Sequence, residues 1–531
     1  MALLVPNVTW EDHAEDVILV ARHLGLDPAA ITGARLVRRS LDARQRRPRW
    51  VGVFRVELPD EASILARRLP GVRRWIPRDA GRYGLDAEVP PRRRFAPSVR
   101  PIVVGAGPAG LFAALYLAES GAPVRLLERG GPVEERIEAV NGFWRGRAPL
   151  DPENNLVFGE GGAGTFSDGK IYTRRRDGEL GYIFQRLISF GADPASIAEA
   201  WAHLGTDRIR ALLPPFRRRL QELGVEVCYH QRVVDLRVED GRCVGVELAD
   251  GAVVEGGPVL VATGHSARDA IEMMVRAGAE ASPRGIAIGA RVEHPQALID
   301  RARYGTEARG ELPPASYRLA FNPSSAPAAR TFCMCPGGVV VPAMNHPQRV
   351  VVNGMSFAAR RAFWSNSAVI VEIDPRTYGA DDPLAGFRWQ DAIERAAFVA
   401  GGETYAAPAQ RVADFLVDRP SREVPRTSYP LGIVPGDLRA VLPDPVVRSM
   451  QAALLAFEGK LEGFAGADGV LIAPETRTTS PVRFHRDERG CSTVADLFPV
   501  GEGAGFAGGI VSSALDGLSA ARAICAEAGL D

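Results

Sequence analysis

The run Arg100 to Arg129, RPIVVGAGPAGLFAALYLAESGAPVRLLER, constrains this chain more than any other stretch. Three apolar residues, Ile102 to Val104, read as a buried parallel strand. They end in Gly105-x-Gly107-x-x-Gly110 and lead into the helical pattern LFAALYLAES. Strand, tight turn and helix in that order make a nucleotide-binding corner. Gly105 permits the turn, Gly107 admits a pyrophosphate to the backbone, and Gly110 lets helix and strand close-pack. The helix start at Pro108 and Ala109 offers N–H groups and a positive dipole end to the phosphates. A second strand, Pro123 to Leu127, delivers Glu128 eighteen residues after Gly110. At that distance a carboxylate accepts the ribose hydroxyls of an adenine nucleotide.

A chain of 531 residues exceeds one hydrophobic core, so two or three domains are expected. The formal net charge is zero, which gives no global pull towards nucleic acid or acidic lipid and speaks against a nucleic-acid partner. No apolar run reaches membrane-spanning length and the start lacks the pattern of a signal peptide, so a cytoplasmic protein without membrane attachment is expected. Six cysteines without a CxxC pair indicate neither a disulfide framework nor a metal site.

Before the glycine motif, residues 2–8, 32–40, 49–57 and 72–76 read as strands, and 11–25 and 60–69 as helices. That order, βαββαβ over 1–78, points to a small ferredoxin-like domain. Its basic clusters, including Arg38–Arg39 and Arg44–Arg49, read as a solvated face, and the Pro, Arg and Gly composition of 79–99 as a linker. After the motif, the glycine-rich stretch Asn154 to Arg174 lacks the strand and helix of a second phosphate loop. It is better explained by backbone, Gly161 and Gly162 included, lying flat against a large planar ligand. Residues 181–222 are helical in pattern, with breaks expected near Gly191 and at Pro214-Pro215. Four short strands follow in a meander over 225–256, then a buried strand closing at Ala262-Thr263-Gly264. Residues 281–430 read as an inserted substrate or cap domain, and 431–531 return to the nucleotide fold. The turn Gly501-Glu502-Gly503 and a small-residue helix after Gly508-Gly509-Ile510 lie in this last part.

Three matches then converge: VVGAGPAG with Glu128, VATG at 261–264, and VGEGAGFAGGI at 500–510. Together they resemble FAD-binding flavoproteins of the glutathione-reductase type. The resemblance implies an α/β fold, a Rossmann-type FAD-binding domain split between 100–280 and 431–531 around the cap domain. It also implies the cofactor contacts. Glu128 would hold the adenosine ribose, with Arg129 beside it, and the backbone of Val233 would meet the adenine. Glu502 would take a ribityl hydroxyl where the family more often has Asp, and the helix from Gly509 would face the flavin N1–C2=O edge. More closely, SLDAR (40–44), FGEGGAGTFSDGK, ATGHSARD, RVEHPQ, TFCMCPGG, VVNGMS and APAQRVADF are similar to a bacterial family of FAD-dependent dehydrogenases of undefined substrate.

Flavin would carry the redox chemistry, and the protein positioning and proton transfer. One dinucleotide motif is present, so NAD(P)H or a protein electron donor would meet the flavin without a dedicated domain. Candidate catalytic residues are His265, beside the ATG turn; His294, next to Glu293; Lys170, one of two lysines in the chain; and Cys333 with Cys335. On a regular strand those two thiols would share one face, about 7 Å apart. Asn353, Ser356 and Arg360 are further candidates to line the cap pocket. The expectation is a hydride transfer between flavin N5 and a small organic substrate. A flavin monooxygenase using NAD(P)H and a flavin-bearing redox sensor are the alternatives.

Overall fold

Buried side chains alternate along Arg49–Glu57 (β3), and Leu3, Val5 and Val8 recur along Ala2–Trp10 (β1), so the two strands share a core face. Leu3, Val5, Val8, Phe54 and Val56 fill that face and pack against Leu19, Val20 and Leu24 of Asp16–Leu24 (α1). Gly33–Asp42 (β2), Glu61–Ala66 (α2) and Arg73–Arg74 (β4) complete the set, and the strands lie antiparallel in the order β2, β3, β1, β4. Asp60 caps α2 by accepting the Ser63 N–H at 3.1 Å. The structure, a computed structural model, describes residues 2–11, 14–43, 48–84, 90–96, 99–173, 179–324 and 326–530. Arg44 to Arg47 of the basic cluster therefore lie outside the described residues.

The chain divides into two units. The first comprises Met1–Val89, Lys170–Leu204 and Arg303–Gly305, and the second Pro90–Gly169, Gly205–Ala302 and Thr306–Asp531. This moves 170–204 out of the nucleotide-binding part, where the sequence pattern had put it. Within the first unit, Arg39 N–H donates to Ala198 O at 2.9 Å, Ala200 N–H to Arg39 O at 2.7 Å, and the Arg39 side chain pairs with Glu199 at 2.7 Å. The expected linker over 79–99 instead begins inside a short helix, Pro77–Arg82, whose Asp79 pairs with Arg73 at 2.7 Å.

In the second unit, five parallel strands lie in the order Leu497–Pro499, Val259–Val261, Ile102–Val104, Arg125–Leu127, Glu226–Cys228. Ile102, Val103, Leu126, Val259, Leu260 and Leu497 are all buried, the pattern of a sheet covered on both faces. Val259 pairs with both Ile102 and Leu497, so the two glycine-bearing ends of the chain flank one strand. Glu226–Cys228 joins this sheet, so the meander has three strands, Val233–Glu239, Arg242–Leu248 and Val253–Glu255, and not four. Pro214 and Pro215 also fail to break Thr206–Glu222, which stays one helix. Buried Ile209, Leu212, Leu213, Phe216 and Leu220 outweigh the backbone bonds that the prolines forgo.

A seven-stranded sheet forms the rest of the unit: Ala320–Phe321, Ala329–Cys335, Trp364–Ile373, Ile286–Pro295, Val470–Glu475, Ala407–Arg411 and Ile433–Pro435. Two of its strands, Ile433–Pro435 and Val470–Glu475, lie beyond the boundary expected at 430. The chain rejoins the parallel sheet only at Leu497. No helix among the described residues is long and apolar enough to cross a membrane.

The helices Pro108–Glu119 and Ile510–Ala528 touch through their backbones: a Cβ on Gly517 would lie 2.1 Å from Ala109 O. Gly517→Leu is expected to force them apart and cost about 3 kcal/mol in denaturant unfolding. Gly436→Ala, where an added Cβ meets nothing within 4 Å, is expected to leave the midpoint unchanged.

Candidate active site

The site is built from turns at the carboxyl ends of the parallel strands. After Val104 the chain turns through Gly105 at φ +104°, and the Gly105 N–H donates to Leu127 O at 2.7 Å. Gly110 is needed for close approach, since a Cβ there would lie 1.9 Å from Gly105 O and 3.2 Å from the Val103 side chain. The Pro108–Glu119 helix thus begins directly over the strand, its first-turn N–H groups lacking intrahelical acceptors.

Glu128 is buried, 5% exposed, and joins three turns. Its Oε2 accepts from Ala106 N–H at 2.7 Å, and its Oε1 from Gly130 N–H at 2.9 Å and Gly159 N–H at 3.0 Å. Beside it lies a residue that the sequence reading missed. Arg136 is fully buried and donates to four main-chain carbonyls: Asn155 at 2.7 Å, Leu156 at 2.5 Å, Gly159 at 3.3 Å and Glu160 at 2.8 Å. Burial draws its pKa down to about 9, against the opposing charge of Glu128. The signal was an arginine inside the buried stripe Val133, Arg136, Val140, Phe143.

The glycine-rich stretch forms a 3₁₀ turn, Gly162–Phe166, and not a second phosphate loop. Gly161 N–H donates to Ala106 O at 2.8 Å, and a Cβ on Gly164 would lie 3.0 Å from the Ile510 side chain. Gly161, Gly162 and Gly164 therefore stand between the starts of the two helices.

On the far side, Ala262 N–H donates to Val104 O at 2.7 Å, and Gly503 packs on Gly264, where an added Cβ would lie 2.8 Å from its carbonyl. Thr263 stands between them, and a Cβ on Gly501 would lie 3.1 Å from that of Ala109, so the two glycine turns abut. Asp516, also missed, fixes the second turn by accepting from Gly501 N–H at 2.7 Å and from Arg486 at 3.0 Å. Glu502 Oε1 accepts from Gly509 N–H at 2.5 Å, and its Oε2 lies 3.0 Å from His265 Nδ1. The other ring nitrogen of His265 is 3.0 Å from Arg477 O. Burial works to raise the Glu502 pKa, but the hydrogen bond and charge of His265, with Gly509 N–H and Arg284, hold it below the ordinary value.

These residues fit a dinucleotide. Two helix starts, at Pro108 and Ile510, suit anionic or electron-rich groups, and the carboxylates Glu128 and Glu502 suit hydroxyls. Arg129 is held by Glu153 at 2.6 Å and Asp269 at 3.1 Å with its guanidinium 4.1 Å from the Phe158 ring, and Val233 opens the meander, buried.

Lys170 falls in the first unit, bridged to His203. His294 is fully buried, its Nε2 2.8 Å from Phe464 O, and stands seven residues beyond Ala287, whose carbonyl accepts from Thr478, or roughly 23 Å along the strand. Burial pushes its pKa down to about 4, so it is a neutral core histidine. The strand carrying the two thiols is not regular: a bulge between Phe332 and Cys335 puts Cys333 at φ +46°, so the spacing of a plain strand does not apply there. Cys335 instead lies 3.9 Å from Arg291, which is fully buried. Arg291 meets Glu475 at 2.5 Å, Asn366 at 2.8 Å, Asn353 at 3.0 Å and Cys333 O at 3.0 Å. Ser356 donates to Asp168, and Arg360 sits at φ +47°. His265 adjoins the predicted cofactor residues through Glu502.

Residues 100–143 match the model of an FAD binding domain, 285–478 that of an FAD-dependent protein, C-terminal domain-like, and 8–57 that of a domain of unknown function. Over 432 residues the chain is 41% identical to an uncharacterized protein of Clostridium beijerinckii, covering 80% of each. The chain belongs to that protein's family, one of FAD-dependent proteins. Protein FixC of Salmonella typhi is 26% identical over 214 residues, 38% of this chain and 44% of its own. Among solved structures, CtdE in complex with FAD matches with a TM-score of 0.32 and 13% identity over 81% of this chain and 84% of that one. FAD is the cofactor, and the protein is a flavin oxidoreductase.

Glu128→Ala would leave three buried N–H groups without their acceptor. It is expected to destabilise the chain by about 3 kcal/mol in denaturant unfolding and to empty it of flavin on gel filtration. His294 has its own signature. Its folded pKa of about 4 lies below the ordinary 6.5, so the unfolded chain takes the proton first. Stability that is full above pH 6.5 is therefore lost as pH falls towards 4, by about 3 kcal/mol. Glu293, raised to about 7 by burial, works in the opposite direction, stability falling as pH rises from 4.5 towards 7. Glu293 is common to wild type and His294→Leu, so the difference between their pH–stability curves isolates His294.

Proposed function

We propose that this flavin oxidoreductase transfers a hydride between a small organic substrate and the flavin N5, the substrate being held by the 285–478 region. The flavin supplies the hydride chemistry. The chain supplies the rest: Glu128 receives the adenosine ribose, the start of the Pro108–Glu119 helix receives the pyrophosphate, and Glu502 meets the ribityl chain. The start of the Ile510–Ala528 helix would face the pyrimidine edge of the ring, where its positive end would favour the reduced form. The observation that carries this reading is the abutment of two glycine turns, each cross-linked by a buried or half-buried carboxylate and each opening a helix: Gly501 against Ala109, with Glu128 and Glu502 on either side. The strand order β2, β3, β1, β4 supports reading the first unit as ferredoxin-like.

The test is direct. The purified protein is expected to be yellow, to release one FAD per chain on denaturation, and to bleach anaerobically with a member of a metabolite library. Bleaching with NADH or NADPH and with no metabolite would remove the substrate dehydrogenase reading.

A further inference from the structure

We infer that His265 is a positioning residue held as the imidazolium between Glu502 and the Arg477 carbonyl, its fixed positive charge offsetting Glu502 at the flavin end of the site. The inference rests on the proposed reading that Glu502 faces the cofactor, and it deepens that reading by giving the site a charge-setting group.

Hydrogen-bond donors are the first ground. Nδ1 lies 3.0 Å from a Glu502 oxygen and Nε2 3.0 Å from a main-chain carbonyl oxygen. A carbonyl only accepts, and Glu502, whose other oxygen already takes the Gly509 N–H, accepts as the carboxylate. A neutral imidazole has one N–H to give; the doubly protonated ring has two.

Both acceptors are immobilised. The second oxygen of Glu502 takes the Gly509 N–H at 2.5 Å. The Arg477 side chain is clamped by fully buried Glu394, with Nε at 3.0 Å and Nη2 at 2.7 Å, and it also donates to Asn345. Asn345 in turn donates to Ser266 O at 3.2 Å, and Arg268 donates to Glu394 at 3.1 Å. The residues that follow His265 are thus tied to the cluster that fixes its partner.

The charged groups around this pair are accounted for. Arg284 acts on Glu502 from the chain before the Ile286–Pro295 strand. Arg268 and Arg349 reach Asp391 at 3.1 Å and 2.6 Å. Burial pulls Glu394 upwards, but the Arg477 and Arg268 charges bring it down to about 2, so it stays ionised. Burial, Arg477 and Arg268 depress His346, which leaves it neutral. Without the charge on His265, Glu502 would keep only the Gly509 N–H and the more distant charge of Arg284 as compensation, beside a ring that becomes electron-rich on reduction.

Two measurements on the full chain test this. In protein carrying 15N-labelled histidine at pH 7, His265 is expected to show the nitrogen shifts of a ring protonated at both positions. The signal is assigned by its loss in His265→Gln or, should that variant fail to fold, in His265→Asn. In the FAD-loaded variant the flavin midpoint potential is expected to fall below that of wild type. A neutral-tautomer signal from His265 overturns the inference, and so does a flavin-loaded variant with the wild-type potential, which is the result a merely structural histidine would give. A colourless wild-type protein would instead fail the functional reading and leave the nitrogen shifts to decide the protonation on their own.

Discussion

The buried carboxylate of Glu128 is the joint on which the cofactor end of this protein depends. Burying an ion costs several kcal/mol unless hydrogen bonds replace its water. Here three main-chain donors do so, Ala106, Gly130 and Gly159, and charge-assisted bonds of that kind contribute about 1.5 to 3 kcal/mol each. Each donor sits in a different turn, so the carboxylate sets the spacing of the glycine corner, the end of the second strand and the glycine-rich stretch together. Gly161 then reaches back to Ala106 O, and the 3₁₀ turn that follows is pinned against Ile510. The start of the last helix is positioned through this chain of contacts as well as through its own strand.

What was legible in the sequence was local. Gly105, Gly107, Gly110 and Glu128 could be read because each role follows from a backbone turn or a fixed number of residues between two strands, and the structure repeats that spacing. Glu502 and Gly509 were singled out by resemblance, and the structure bonds them to each other, Gly509 N–H to Glu502 Oε1 at 2.5 Å. Positions 102 and 497 converge on one sheet, and Val259 between them shows the register. Domain boundaries were less legible. Nothing in the composition near 430 says that Val470–Glu475 must pair with Ile286–Pro295, because pairing in a mixed sheet is decided by partners far along the chain.

Side chains that act at a distance were invisible for a related reason. Arg136 reads as one more arginine in an arginine-rich chain until the turn it clamps is seen around it. The thiols of Cys333 and Cys335 read as a neat pair on one strand face until a bulge breaks the alternation. Pro214 and Pro215 read as a helix break because local rules disfavour them, whereas five buried apolar side chains hold the helix straight through. His294 shows the opposite error: a titratable residue beside an acid looks functional, yet with both neighbours in a strand its ring faces the core and meets Phe464.

The protein has no net charge, but it buries several arginines, and the way each is compensated differs with its neighbourhood. Arg291 is paired with Glu475, and although burial works to lower its pKa, the charges of Glu475 and the two cysteines push it up. Arg477 has Glu394. Arg136 donates to four main-chain carbonyl oxygens and to no carboxylate among the described residues, and burial draws its pKa down. That arrangement has a consequence for Glu128. An arginine that bonded the carboxylate directly would occupy the oxygens that hold the three turns. With its N–H groups taken by carbonyls, Arg136 acts on Glu128 through space, lending a compensating charge while leaving the carboxylate oxygens to the main chain.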